Sequence, residues 1–341
     1  MVKFGAQGYY SWVVLNKKNE VVRYSPTREK NLILDQGLDG IAVRSWADSF
    51  VACAVGTGTS SPSASQTALD AESKRTNVYL DLTAANNSEY ADGEFVLKRT
   101  FVFTPESSTT TYTEAGFSWT VTGPGALFSR VRFAGVEVSS GERLIIQYEL
   151  HVLMTPVEPT VIVDSILNLV PSGLFQYQFI GLKGVNSLGQ SYDFDAGLGC
   201  NEPSIAAKAF LSNSDDALAV IGSSADRSGT VLERDATLST YVPGSFSRVK
   251  TLSFGPKEAK TFWRSFGIGA SIGNSYINSG LVCVADESFY KGPGTLNINF
   301  TYTWNRFTRQ NYSALFYWQD EEALFLRRQN PLLSYFNLSN E

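Results

Sequence analysis

YADGEFVLKRTFVFTPESSTTTYTEAGFSW, residues 90–119, recurs in altered form as YVPGSFSRVKTLSFGPKEAKTFWRSFGIGA, residues 241–270. The two stretches align without a gap, and the basic residues Arg99 and Lys250 fall at the same place. Identical residues occur at Tyr90/Tyr241, Gly93/Gly244, Phe95/Phe246, Thr100/Thr251, Phe103/Phe254, Pro105/Pro256, Thr110/Thr261 and Gly116/Gly267. Such a sustained match at one offset indicates an internal duplication, which describes architecture before it describes chemistry.

The repeat continues more faintly on both sides of this match. Residues 8–14 resemble residues 173–179, and residues 144–152 align with residues 296–304. Each copy then has the size of an ordinary single domain. The chain is therefore predicted to contain four segments: a first β-sandwich repeat over 1–155, a Pro-containing linker over 156–164, a second, divergent repeat over 165–308, and an apolar C-terminal arm over 309–341.

The composition predicts β structure, because the chain has 22 Phe, 16 Tyr and 6 Trp among many Thr, Ser, Val and Gly residues. β-branched and aromatic residues suit a pleated, half-buried surface. Apolar residues alternate along 144–152 and keep the same phase along 296–304. The predicted fold class is all-β: two tandem, internally duplicated antiparallel β-sandwich domains, jelly-roll-like, with a C-terminal arm.

Turns and one helix can also be placed from the sequence. Ser139–Glu142 and Lys291–Gly294 are typical of hairpin turns at matching places in the two copies. Asn31 is a candidate N-cap for a short helix, and Ser65–Leu69 is a candidate single helical turn.

Charge and cysteine content exclude several classes of function. The formal net charge is −5 and the pI is about 5.2, which provides no basic footprint for nucleic acid. Cys53, Cys200 and Cys283 form no CxxC motif, so neither a zinc site nor a disulfide framework is expected. The sequence shows no signal peptide and no membrane span, and no cofactor or metal is predicted.

The candidate catalytic and metal-binding residues are few. His151 is the only histidine, so a catalytic triad would have to use it, but we expect a solvent-facing or interface side chain instead. Residues 56–61, GTGTSS, resemble a phosphate loop yet lack its Gly-Lys-Ser/Thr ending, which favours a plain loop. The pairs Asp193/Asp195 and Asp215/Asp216 lack calcium-loop periodicity, which favours solvated loops.

A glycoside hydrolase would need two carboxylates, for which Glu114 and Glu149 are the candidates. Their counterparts in the second copy are Ser265 and a threonine, so the duplication repeats no carboxylate pair. We therefore expect that the chain is not an enzyme.

Aromatic residues recur at equivalent places in the two copies. Tyr112 aligns with Trp263, and Trp12 aligns with Tyr177. Core packing is the first interpretation of such pairs, and a platform for stacking sugars is the alternative. Exposure of these rings would favour the second interpretation.

The C-terminal arm combines apolar clusters with an acidic break at residues 320–322. An arm of this kind must be buried, either on its own domain or on a neighbouring subunit. The candidate assembly contacts are Leu315, Phe316, Trp318, Leu324, Phe325 and Leu326.

Several short motifs of the first copy occur in a characteristic order. They are NLILDQGLD at 31–39, VGTG at 55–58, RTFVF at 99–103, TEAGF at 113–117, LFSR at 127–130 and GERLIIQYEL at 141–150. This succession, over about residues 1–153, resembles a family of tailed-bacteriophage virion structural proteins from the neck, tail and tail fibre. The second copy departs from it, having lost VGTG, TEAG and LFSR. The resemblance implies a β-rich, oligomeric component without catalytic residues.

Together these features predict a non-enzymatic component of a tailed-phage virion, assembled in the bacterial cytoplasm. It would form a symmetric homo-oligomer at the neck, collar or tail through β-domain contacts and the C-terminal arm, with other virion proteins as partners. One alternative is a tail-fibre module that binds a receptor or a host surface glycan. Another is a capsid decoration protein.

Overall fold

The structure is a computed structural model that describes most of the first half of the chain and parts of the second half. The described residues are 2–86, 94–156, 160–163, 175–180, 183–185, 191–193, 208–213, 225–226, 231–258, 262–270, 276–277, 279–290 and 295–307. The predicted C-terminal arm therefore lies outside the described residues, together with Leu315, Phe316, Trp318, Leu324, Phe325 and Leu326.

Strands account for most of the described chain, which confirms the all-β class. The first ten strands are β1 Val2–Leu15, β2 Val21–Tyr24, β3 Glu29–Ile33, β4 Ala52–Gly56, β5 Glu72–Thr76, β6 Tyr79–Asn86, β7 Glu94–Val102, β8 Thr110–Ser118, β9 Leu127–Val138 and β10 Arg143–Pro156. Helix α1, Asp35–Ile41, and a 3₁₀ helix, Ala47–Phe50, lie between β3 and β4. Within the described ranges, no helix is long and apolar enough to cross a membrane.

The remaining strands come from the second half of the chain. They are β11 Thr160–Val163, β12 Phe175–Ile180, β13 Lys183–Val185, β14 Ser191–Asp193, β15 Lys208–Ser212, β16 Ala225–Asp226, β17 Val231–Asp235, β18 Thr237–Leu238, β19 Ser247–Phe254, β20 Phe262–Ala270, β21 Tyr276–Ile277, β22 Ser279–Tyr290 and β23 Leu296–Arg306.

One large sheet of 14 strands contains strands from both predicted copies. Its central strand is β1, which pairs antiparallel with β10 along its whole length. On its other edge β1 pairs parallel with β23, with Val2 opposite Tyr302 and Ala6 opposite Arg306. A separate sheet has five strands in the order β12-β22-β20-β15-β17. The predicted copies therefore share a sheet through β1 and β23.

The large sheet curls so that its two ends face each other across the core. Strand β3 makes the bend, because Asn31 pairs with Gly8 of β1 while Leu32 pairs with Arg130 of β9. Across the core, the Phe117 ring of β8 stacks on the Tyr148 ring of β10 with centroids 3.9 Å apart. Apolar side chains of the second half, from β19, β20 and β23, belong to the same buried cluster.

The internal repeat has a counterpart in the strand registers. In the first copy β7 pairs with β10, and the Phe103 amide donates to the Leu144 carbonyl. In the second copy β19 pairs with β23, and Phe254 lies opposite Leu296. The alternating residues of 144–152 and of 296–304 are buried, as predicted.

A second strand pair also matches between the copies. Strand β8 pairs with β9, and the register shifts directly after Tyr112. Strand β20 pairs with β22, and the register shifts directly after Trp263, the residue aligned with Tyr112. Each shift places extra residues in the partner strand, so the irregularity follows the alignment.

Three local predictions are wrong. Asn31 does not cap a helix but lies in β3, since its sheet partner and a buried hydrogen bond from its Nδ2 to Ser129 Oγ (2.7 Å) override the capping preference. Residues 65–69 form no helical turn but part of a loop. The turn at 139–142 joins β9 to β10, but these strands pair with different neighbours, so it is not a hairpin. Its proposed counterpart, 291–294, lies outside the described residues.

The faint match between residues 8–14 and residues 173–179 is also wrong. Strand β12 pairs with β22 in the five-stranded sheet, whereas β1 pairs with β10. In the second copy the strand beside β23 is β11, which falls inside the predicted linker 156–164. The domain boundaries themselves stay predictions.

Gly8 lies where β1 crosses a buried polar group. Asn31 Nδ2 donates to Ser129 Oγ, and the Ser129 hydroxyl lies 3.2 Å from the Tyr148 hydroxyl oxygen. A Cβ added at Gly8 would overlap Asn31 Oδ1 and lie 2.5 Å from the Tyr148 hydroxyl oxygen. The absence of a side chain at this position therefore lets β1 close over the polar group.

We expect Gly8→Ala to lower the free energy of unfolding by about 2 kcal/mol, since the added methyl group must displace packed polar atoms. Urea unfolding monitored by tryptophan fluorescence measures this. Gly255→Ala is the control, because its nearest neighbour would be Glu258 Oε2 at 3.7 Å. Equal unfolding midpoints for the two variants would contradict the close approach at Gly8.

Candidate functional site

Helix α1 connects the first copy to strands of the second copy. One carboxylate oxygen of Asp39 accepts hydrogen bonds from the Tyr241 hydroxyl (2.6 Å) and from the Gly244 amide (2.7 Å). The Trp304 indole Nε1 donates to the Leu38 carbonyl at 2.8 Å. We call this contact the α1 junction; it joins residues more than 200 positions apart in the sequence.

Two buried arginines bind the carbonyls at the ends of the two short helices. Arg248 Nη1 of β19 donates to the Ala42 carbonyl at 2.6 Å, just beyond α1. Arg99 Nη1 of β7 donates to the Phe50 carbonyl at 2.6 Å, at the end of the 3₁₀ helix. The last carbonyls of a helix have no partner within it, and a cation suits that end. Strands β7 and β19 are equivalent in the repeat, so each copy supplies one arginine to the helical segment.

A second cluster lies on the outer side of β8 and β9, under the loop 57–71. Glu114 is fully buried, and its carboxylate accepts from the amides of Gly58 (2.9 Å), Ala71 (2.8 Å) and Asp70 (3.1 Å). The same carboxylate receives Arg130 Nη2 at 2.8 Å. Glu114 therefore holds both ends of the loop against the sheet.

Arg130, which is also fully buried, binds the middle of the loop. Its Nη1 donates to Gln66 Oε1 at 2.7 Å, and its Nη2 lies 2.9 Å from Asp70 Oδ2. A hydrogen bond from Ser60 and the charge of Arg130 lower the pKa of Asp70. We call Glu114 and Arg130 the loop clamp.

The loop clamp belongs to the first copy alone. In the strand registers Gly116 lies opposite Arg130, and its equivalent Gly267 lies opposite Val282. Ser265 is the equivalent of Glu114. The two positions that form the clamp in the first copy are therefore uncharged in the second copy.

A third cluster surrounds Glu149 on the outer side of β10. Its carboxylate receives Arg28 Nη1 at 2.6 Å and Lys98 Nζ at 2.9 Å, and His151 Nε2 lies 3.2 Å from Glu149 Oε2. The Tyr9 ring meets the His151 ring edge-on at 4.8 Å. His151 is 5% exposed, so the expectation of a solvent-facing histidine is wrong.

The charges around Glu149 determine its protonation. Burial alone would raise the pKa of Glu149, but the hydrogen bond with His151 and the charges of Lys98 and Arg28 outweigh it. The result is a pKa well below the ordinary range of a glutamate. Glu149 is therefore an anion at neutral pH, and its carboxylate contacts Arg28 before β3, Lys98 of β7 and His151 of its own strand.

The structure does not bring Glu114 and Glu149 together. Ala115 and Phe117 point into the core, which puts Glu114 on the outer side of β8. Tyr148 and Leu150 also point into the core, which puts Glu149 on the outer side of β10, across the core from β8. The two candidate carboxylates therefore lie on opposite sides of the core, and each is paired with basic side chains.

Several of the remaining predicted site residues that the structure describes are bonded to other residues or buried. In residues 56–61, the Gly58 amide that a phosphate would need is bound by the Glu114 carboxylate. Tyr112 and Trp263 are buried, as core packing predicts, so they offer no platform to a sugar. Within the described ranges no cluster of His, Cys, Asp or Glu could hold a metal ion, while Asp195, Asp215 and Asp216 lie outside them.

The residues that matter most, Arg130 and Arg248, were not predicted as site residues. Both lie in strands with ordinary alternation, and their partners are backbone carbonyls or a loop far away in the sequence. A basic residue at a buried phase of a strand is the one signal that could have indicated them.

No family model matches this chain, and no match was found among curated proteins or among solved structures. The function must therefore be inferred from the chain's own residues.

We expect Glu114→Gln to lower the free energy of unfolding by about 3 kcal/mol, because it leaves Arg130 buried without its main counter-charge. Chemical unfolding at neutral pH measures the loss. Glu258→Gln is the matched control, since Glu258 pairs with Arg234 at the surface, where both side chains are about 40% exposed. That control should cost less than about 1 kcal/mol. Similar losses in both variants would refute a special role of the clamp.

The stability provided by Glu149 depends on pH in a defined direction. Its pKa is lower in the folded chain than in the unfolded chain, so the stabilisation is complete above the unfolded value of about 4.3 and decreases as pH falls below it. The difference in unfolding free energy between the native chain and Glu149→Gln should therefore be largest near neutral pH and shrink towards pH 2. Urea titrations across this range test it; a constant difference would be contrary evidence.

Proposed function

We propose that this chain is a non-enzymatic structural component of a tailed-phage virion that assembles into a symmetric multimer at the neck, collar or tail. The proposal rests on the order of motifs in the first copy, which resembles virion structural proteins. We also propose that the protein is located in the virion, that it assembles in the bacterial cytoplasm, and that its partners are other virion proteins. These are proposals about the particle, to be tested on the purified protein.

The α1 junction is the structural feature that supports this proposal. A building block of a particle must hold its surfaces in a fixed relation without help from a cofactor. Here the parallel pairing of β1 with β23 and the buried bonds of Arg248 and Trp304 join the two halves of the chain. Buried hydrogen bonds to a charged group contribute more than neutral ones, and their loss leaves carbonyls unsatisfied. The described halves thus form one block.

The duplication supports a finer architectural proposal, in which the chain consists of two tandem sandwich modules. The matched registers of β7–β10 with β19–β23, and of β8–β9 with β20–β22, support it. A duplicated module lets one chain offer two related contact surfaces, which suits a ring that meets another ring of different symmetry.

The surroundings of the carboxylates favour a structural role over hydrolysis. A glycosidase needs an acid and a base about 5–10 Å apart on either side of one bond. Glu114 is bound by three amides and an arginine, and Glu149 by two basic side chains and a histidine. Both carboxylates stabilise the fold and are not placed to share a substrate.

Light scattering on a sizing column tests the assembly role. We expect the full chain to be a multimer and a chain truncated after Thr308 to be a monomer, because the truncation removes the apolar arm 309–341. The truncated chain should still unfold cooperatively, which separates lost assembly from lost folding.

Two variants within the arm make the test specific. The triple change Leu324→Ser, Phe325→Ser and Leu326→Ser should lower the mass to that of the monomer. Asp320→Asn, Glu321→Gln and Glu322→Gln form the matched control and should leave the multimer intact. A full chain that stays monomeric, alone and mixed with its particle partners, would refute the proposal.

A further inference from the structure

The loop 57–71 is a closed surface loop with a fixed conformation. Its ends meet, since Gly56 pairs with Glu72 and the Thr57 amide donates to the Ala71 carbonyl at 3.0 Å. The loop clamp holds it from below, and Gln36 Nε2 donates to the Thr67 carbonyl at 2.8 Å. Compact loops of this length with adjoining ends are frequently functional.

The outward side of the loop carries hydroxyl groups. All seven of its serine and threonine residues are exposed: Thr57, Thr59, Ser60, Ser61, Ser63, Ser65 and Thr67. The loop contains no aromatic and no basic residue, and its single acid, Asp70, is paired with Arg130. The result is an outward surface of hydroxyl groups that can donate and accept hydrogen bonds, apart from the Ser60 hydroxyl, which donates to Asp70.

The fold itself does not require the loop clamp. The equivalent strands of the second copy are built with Ser265 and Val282 in place of Glu114 and Arg130. Burying two charges is costly, and a buried ion pair stabilises a protein little compared with apolar packing. What the clamp provides is one conformation of the loop, which is the condition for recognition at low entropic cost.

The chemistry of this surface restricts its partner. Nucleic acid and anionic polysaccharides need basic side chains, and a membrane surface needs apolar or basic ones. Protein interfaces are enriched in aromatic residues and arginine and depleted in serine. We propose that the loop 57–71 of the first copy is a binding surface for neutral, polyhydroxylated saccharide chains.

Binding at one loop is weak, because each hydrogen bond replaces one with water and contributes about 1 kcal/mol or less. Several loops on one multimer would raise the apparent affinity through effective concentration. The interaction at a single loop does not depend on the multimer, so it can be tested separately from the assembly role.

Affinity electrophoresis of the full chain tests the proposal, with native gels that contain dextran, mannan or galactan, and with alginate as the anionic comparison. We expect at least one neutral polysaccharide to slow the protein and alginate to leave it unaffected. The triple change Thr59→Ala, Ser61→Ala and Ser65→Ala should weaken the retardation about tenfold, because it removes three exposed hydroxyl groups.

Ser107→Ala, Ser108→Ala and Thr109→Ala form the matched control, since these hydroxyl residues are exposed on another loop. The control should be retarded like the native chain. Three results would overturn the proposal: no retardation in any neutral gel, retardation by alginate alone, or equal retardation of the native chain and the loop variant. Since these substitutions are at exposed positions, all variants should keep the native unfolding midpoint, which separates lost binding from lost folding.

Discussion

The fold depends on how two short helices between β3 and β4 satisfy their last carbonyls inside a β protein. A helix end buried without partners for its last carbonyls would cost several kcal/mol. Arg248 and Arg99 solve this by donating to Ala42 and Phe50 from equivalent strands of the two copies. Burial lowers the pKa of Arg99, but a guanidinium group stays charged even when it is buried in a protein. The helical segment is thereby fixed between the copies, and the sheets are arranged around it.

Strand β1 adds the second constraint on the fold, because strands of both halves of the chain pair with it. Its edge against β10 completes the first copy, and residues 2–6 on the other edge complete the pairing of β23. One edge of β23 pairs with β19 and the other is divided between β11 and β1, whereas β10 pairs with β1 along its whole length. A strand that pairs with both halves of the chain cannot shift without disturbing both.

The sequence predicted what depends on periodicity and alignment. The alternation along 144–152 and 296–304 indicated buried strand faces, and the alignment of Tyr112 with Trp263 holds in the registers. The sequence-based predictions failed where contacts between residues far apart in the chain determine the local structure. Asn31 has the chemistry of a cap, but a buried partner in β9 draws it into a strand. Nothing local in Glu114 or Arg130 shows that they hold a loop more than 40 residues away.

The register shift after Tyr112 and after Trp263 also carries information about ancestry. An irregularity in a strand pair is not required by sheet geometry, so two unrelated modules would have little reason to place it beside the same aligned aromatic residue. Under the proposed duplication, the shared shift belongs to the single module from which both copies derive. The charged residues of the loop clamp are replaced by Ser265 and Val282 at the equivalent positions, which under the same proposal is a later divergence between the two halves.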